Sequence, residues 1–121
     1  MSDIAKLLAR TVAPRVQTEL QHHLRGFFRG IVRGYLPQTW WFSTESGQAT
    51  LSVSKDGVTQ VRDGQSGDPD VSIAWTDKAF RIALDTGDRT QLPASTPAPK
   101  VEVHTPKGKA AYGQLRKRLG L

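Results

Sequence analysis

Between Pro14 and Leu36 the apolar residues Val16, Leu20, Leu24, Phe27, Phe28, Ile31 and Tyr35 recur at steps of three and four. At about 100° per residue they share one arc, with Arg15, Arg25, Arg29 and Arg33 opposite, which predicts a long amphipathic helix over 14–36. Gly26, Gly30 and Gly34 each weaken that helix, and their four-residue spacing leaves one edge bare for close packing. Residues 3–12 carry a separate stripe, Ile4, Leu7 and Leu8, with Ser2 or Asp3 as the cap. Continued unbroken into the next helix, this stripe would point to the opposite side. Pro14 disfavours helical geometry at Ala13, which predicts a kink or a fresh start there. The chain thus divides into an N-terminal helical extension, 1–13, and a single domain, 14–121.

After Pro37 the period drops to two. Leu51 and Val53 alternate with Thr50, Ser52 and Ser54, and Val71, Ile73 and Trp75 alternate with Ser72 and Ala74. Apolar side chains on one face and small polar ones on the other are the pattern of an antiparallel sheet covered on one side. Asp56-Gly57 supplies a hairpin turn into a weaker strand near Val61, and "G-Q-S-G-D-P-D" is a turn-rich connection. Thr76 caps a short helix that buries Phe80, Ala83 and Leu84 and closes at Gly87. A Pro/Ala/Ser/Thr loop leads to a fifth strand, "K-V-E-V-H". Thr105 and Pro106 then open a last helix that buries Ala110 or Ala111, Leu115 and Leu119. The fold class is α+β: a five-stranded, mainly antiparallel sheet with helices covering one face and a long N-terminal helix.

One stretch sits awkwardly in this scheme. In "Q-T-W-W-F-S-T" successive strand positions point to opposite faces, so Trp40 and Phe42 share one face and Trp41 takes the other. Trp41 and the stripe of residues 3–12 both need a surface. A first helix that projects at Pro14 onto a second copy of the chain, or folds back across the outer face beside Trp41, answers both. Self-association through residues 3–12, with or without Trp41, and a folded monomer on deletion of residues 1–12 are the resulting expectations.

Composition narrows the chemistry. The 121 residues are 37% apolar and 23% charged, ordinary for a globular domain, and the absence of cysteine removes disulfides, thiolate metal sites and thiol nucleophiles. No secretory signal or membrane-spanning stretch is visible, which makes the cytoplasm the default compartment. The net charge of +6 is uneven. Residues 1–37 hold six basic groups against two acidic, 38–99 five against eight, and 100–121 six against Glu102 alone. Two basic ends fit either solvated helix faces or a transient contact with an anionic membrane surface.

Enzyme constellations are nearly absent. His22 and His23 point about 100° apart on a helix, and His104 faces outward at a strand end, so no histidine pair has metal-ligand spacing. "P-K-G-K-A-A" lacks the rest of a phosphate loop, and Asp63, Asp68 and Asp70 fit turn chemistry better than a calcium loop. No catalytic residue, metal or cofactor is expected. Nucleic acid is disfavoured as a partner, because the outer strand positions are small and offer no stacking platform beyond Trp41.

What remains is a large apolar inner layer, which is either a packed core or the wall of a cavity around an apolar ligand. Here the chain resembles a known family. "V-S-K-D-G-V-T-Q-V-R-D-G-Q-S-G-D-P-D-V-S-I-A-W-T-D-K-A-F" resembles the sterol carrier protein type-two-like domain family, through Gly57, Gly64, Asp70, Val71, Ile73, Thr76, Phe80 and Gly87 and through the order of elements over 14–121. The resemblance implies a five-stranded sheet with an apolar tunnel beneath its helices, and non-enzymatic binding of a sterol-like or acyl-type lipid. Carried over, the lining is Phe27, Phe28, Ile31, Trp40, Phe42, Leu51, Val53, Ile73, Trp75, Phe80 and Leu84. Residues 88–100 depart from the family's glycine-containing apolar connection, which leaves one wall of the tunnel open, shortened or filled. The alternative is an interaction or scaffold module with a filled core that self-associates through its first helix.

Overall fold

The computed structural model of the chain describes residues 1–24 and 34–121. The elements in chain order are α1 (Asp3–Arg10), α2 (Val12–Leu24), β1 (Gln38–Thr44), β2 (Gly47–Val53), β3 (Thr59–Asp63) and β4 (Val71–Ala74). They are followed by α3 (Asp77–Thr86), a 3-10 turn (Arg89–Gln91), β5 (Lys100–Val103) and α4 (Pro106–Leu119). The five strands form one sheet in the order β3-β2-β1-β4-β5. β1 runs parallel to β4, with Phe42 opposite Ile73, and all other neighbours are antiparallel. The fold is α+β as the patterning predicts, with helices against one face of the sheet.

Local chemistry sets the element ends where the sequence placed them. The Ser2, Thr76 and Thr105 hydroxyls each accept a hydrogen bond from a first-turn amide, that of Ala5, Ala79 and Gly108 respectively. Gly87 closes α3 at φ 66° and Gly120 closes α4 at φ 85°, the left-handed conformation that glycine adopts without a Cβ penalty. Gly120 also lets two helices meet, since a Cβ there would stand 2.3 Å from the Ala83 carbonyl oxygen of α3.

The N-terminal helices differ from expectation at their boundaries. The break between them falls at Thr11, whose amide and hydroxyl both bond back to the Leu7 carbonyl, and Pro14 sits inside the first turn of α2, where its missing N–H is harmless. The helix expected over 14–36 is described as far as Leu24, and Gly34 and Tyr35 form a turn. Phe27, Phe28 and Ile31 lie outside the described residues.

The position of α1 differs from expectation as well. Ile4, Ala5, Leu7 and Leu8 are buried in the same cluster as Phe42, Ala49 and Phe80, so the helix packs on the inner face of its own sheet. The sequence left α1 two places, a second copy or the outer face beside Trp41; with the chain turning at Thr11 instead of Pro14, α1 lies on the inner face. The α1 stripe is therefore occupied internally and offers no apolar surface to a second copy.

Trp41 is covered by a different element. The connection 64–70 leaves the edge strand β3 and crosses the outer face to reach β4 on the far side of β1. On the way the Thr50 hydroxyl donates to the Gly64 carbonyl and accepts from the Ser66 amide, which buries Thr50. The Trp41 indole N–H donates to the Ser66 carbonyl at 3.1 Å. The doubled tryptophan thus serves two layers, Trp40 the core and Trp41 the crossover. The crossover ends at Asp70, only 4% exposed. Its carboxylate accepts from the Thr39 amide at 2.9 Å and the Thr105 hydroxyl at 2.6 Å, tying β1, β4 and the start of α4 together.

An apolar cavity between α2, α4 and the sheet

The inner face of the sheet has two unlike regions. At the Phe42–Ile73 end of the strands, rings and aliphatic side chains interlock. Phe80 of α3 meets Phe42 edge-on at 5.8 Å and Trp75 at 5.6 Å, and Ile73, Leu84 and Leu8 fill the space around them with essentially no exposure. The segment 88–100 completes this region. The Trp75 indole N–H donates to the Pro97 carbonyl at 2.6 Å, and the Arg89 guanidinium lies 5.9 Å from the Trp75 ring. Pro97 and Arg89 of this segment thus lie against Trp75 on that side.

At the other end, where Gln38 and Trp40 of β1 pair with Val53 and Leu51 of β2, the helices leave a space above the sheet. A cavity of about 300 Å³ lies there, at the lower end of the range of small-molecule sites. Its floor is Trp40, Leu51 and Val53; one wall is Val16 and Leu20 of α2, another Ala111 and Leu115 of α4, and Tyr35 and Leu36 close an end. Polar side chains touch it at two levels. Inside, Gln38 is 4% exposed and fully engaged. Its amide donates to the carbonyls of Tyr35 at 2.6 Å and Lys107 at 3.0 Å, while its oxygen accepts from the Trp40 indole at 2.9 Å. At the rim, Glu19 of α2 pairs with Arg118 of α4, beside Gln114. The interior consequently presents apolar surface to an occupant, and the charge sits at the mouth.

Of the eleven residues expected to line a tunnel, Trp40, Leu51 and Val53 border this cavity. Phe42, Ile73, Trp75, Phe80 and Leu84 instead form the closed region, and Phe27, Phe28 and Ile31 lie outside the described residues. Val16, Leu20, Leu36, Ala111 and Leu115 line the cavity without having been singled out for it. Each but Leu36 was legible as a core position of a helix; which core positions face a void depends on how far α2 and α4 stand from the sheet.

The carboxylates with displaced acidity lie elsewhere. Asp63 is held below its usual range mainly by hydrogen bonds from the Ser2 amide and hydroxyl at the start of α1. Asp77 is lowered by the hydroxyls of Ser46 and Thr44, and Asp88 by the hydroxyl and amide of Thr90. Among the described residues there is no group of three or more metal-ligating side chains, and no helix is long and apolar enough to cross a membrane.

No protein-family model and no curated protein matches the chain. Among solved structures it is similar to the apo form of sterol carrier protein 2 from Yarrowia lipolytica, at 16% identity and a TM-score of 0.48, over 89% of each chain. It is also similar to the UbiJ-SCP2 ubiquinone synthesis protein, at 19% identity and a TM-score of 0.45, over 86% of this chain and 89% of that one. A third likeness is to the stereoselective inverting sec-alkylsulfatase Pisa1 from Pseudomonas sp., at 20% identity and a TM-score of 0.44. It takes in 66% of this chain but spans only 13% of the sulfatase. These are likenesses of fold at low identity.

Proposed function

We propose that the protein binds an apolar, acyl-type lipid chain in the cavity between α2, α4 and the β1–β2 half of the sheet, and performs no chemistry on it. The observation that carries this reading is the division of polarity within the site. The one buried polar side chain on the described wall, Gln38, has both ends of its amide bonded to the protein, so the interior can satisfy only an apolar guest. Charged groups are confined to the rim, where a polar head would remain in water. A chain with one apolar end and one hydrated end meets both conditions. The resemblance of the sequence to the sterol carrier protein type-two-like family points the same way.

Purification under mild conditions followed by denaturing mass spectrometry tests the reading. A co-purifying lipid, retained by the full-length protein and lost from a variant whose cavity is filled by Leu115→Trp, is the expected result. Equal recovery of lipid from the two proteins would place it outside this cavity. No lipid, with no response of Trp40 fluorescence to added fatty acid, would leave the scaffold reading.

A further inference from the structure

The helix that walls the cavity also carries an exposed cationic arc. No acidic residue follows Glu102, and α4 holds Lys107, Lys109, Arg116, Lys117 and Arg118. Two of these are engaged. The Lys107 ammonium donates to the Pro37 carbonyl at 2.6 Å and lies 3.6 Å from the Asp70 carboxylate, and Arg118 pairs with Glu19. Lys109, Arg116 and Lys117 are exposed and hold no ion pair among the described residues. At about 100° per residue they fall within one arc with Gly113, roughly opposite Ala111 and Leu115. Nothing stands within 4 Å of where a Gly113 Cβ would be, so the arc is open to an extended surface.

We infer that this arc docks the protein on an anionic lipid surface. Charge complementarity selects an anionic partner, since each Lys or Arg near an anionic leaflet strengthens attachment and no carboxylate on α4 opposes it. The arc carries no aromatic or large apolar side chain. Stacking of nucleic-acid bases has no platform here, and attachment is electrostatic rather than by insertion. The choice of a bilayer over RNA rests on the lipid-binding reading and on the absence of a stacking platform in the arc.

Flotation of the full-length protein with vesicles of mixed phosphatidylglycerol and phosphatidylcholine tests this, with pure phosphatidylcholine vesicles and single-stranded RNA as comparators. Binding to the anionic vesicles is expected at about 0.1 M salt and is lost near 1 M. The exposed double substitution Arg116→Ala/Lys117→Ala should weaken it about 25-fold, at about five-fold per charge, while Lys55→Ala on the β2–β3 connection leaves it unchanged. The same proteins are titrated with a fluorescent fatty acid. Retained fatty-acid binding by the double variant shows an intact fold, and vesicle binding without fatty-acid binding would uphold docking while overturning the ligand reading. Vesicle binding that is absent, or indifferent to the double substitution, overturns the docking surface. Tighter retention on RNA than on anionic vesicles, lost in the same variant, overturns it in favour of a nucleic-acid face.

Discussion

The Phe42–Ile73 end and the Gln38–Val53 end of the inner face are built from the same kinds of residue and finish in different states. Under α1 and α3 every large side chain finds a partner: Phe80 sits between Phe42 and Trp75, and Leu8 and Leu84 fill the remaining space. Under α2 and α4 the floor is equally apolar, yet α4 offers Ala111 where α3 offers Phe80, and Gln38 props the 34–37 segment in place. Tight packing on one half can hold the fold while the other half stays open. A void that would destabilise a protein if it lay anywhere in the core is tolerable when a separate region carries the stability.

The sharpest way to break this comparison is to truncate each half in turn. Phe80→Ala should destabilise the protein by about 3–5 kcal/mol in urea unfolding, because the rings around it cannot collapse into the gap. Leu115→Ala, half-buried and already bordering the cavity, should cost only about 1 kcal/mol. Equal losses would mean that the two halves are equally packed. Next in size is Leu8→Ala, expected to cost about 2–5 kcal/mol. Removal of residues 1–12 should accordingly abolish the near-ultraviolet circular dichroism of the folded state. A truncated protein that stays folded would show α1 to be an appendage rather than part of the closed half.

That last expectation reverses what the sequence alone suggested, and the reason is specific. The elements were legible because their signals are local: threonine caps at 76 and 105, alternation at Leu51/Val53 and Val71/Ile73/Trp75, a left-handed glycine at 87. The placement of α1 was not, since a few residues of helical phase decide which way Ile4 and Leu8 point, and the cap at Thr11 resets that phase. Similarly, alternation tells which face of a strand is buried but not whether the space above it is filled. Trp40 and Phe42 carry the same signal, and only the distance to α4 or α3 separates a cavity floor from a packed ring. The pairing of β1 with β4, and hence the crossover that covers Trp41, is a long-range choice that no local pattern records.

Smaller effects probe the seams. Trp41→Phe keeps the ring and removes the indole bond to Ser66, so a loss of about 0.5–1.5 kcal/mol is expected, with faster amide exchange across residues 64–70. A change confined to β1 would contradict the role of Trp41 as the anchor of the crossover. The smallest expected effect is the pH response at Asp63. Its folded-state acidity is strengthened relative to the ordinary value of 3.8, so the contribution is complete above that value and disappears as the pH falls through the lower folded-state value. Asp63→Asn should therefore flatten the acid end of the stability curve and leave the neutral range less stable by a small margin. An unchanged acid limb would mean that the link from Ser2 to β3 carries none of it.

The central claim is that the Gln38–Val53 end of the inner face encloses a usable apolar cavity, and direct binding of a fluorescent polyene fatty acid tests it. Energy transfer from the protein's tryptophans to the bound polyene, saturating at one molecule per chain and abolished by Leu115→Trp in a protein that remains folded, is the result the account predicts. Saturable transfer that survives Leu115→Trp unchanged, or no transfer at all in the unmodified protein, would contradict it.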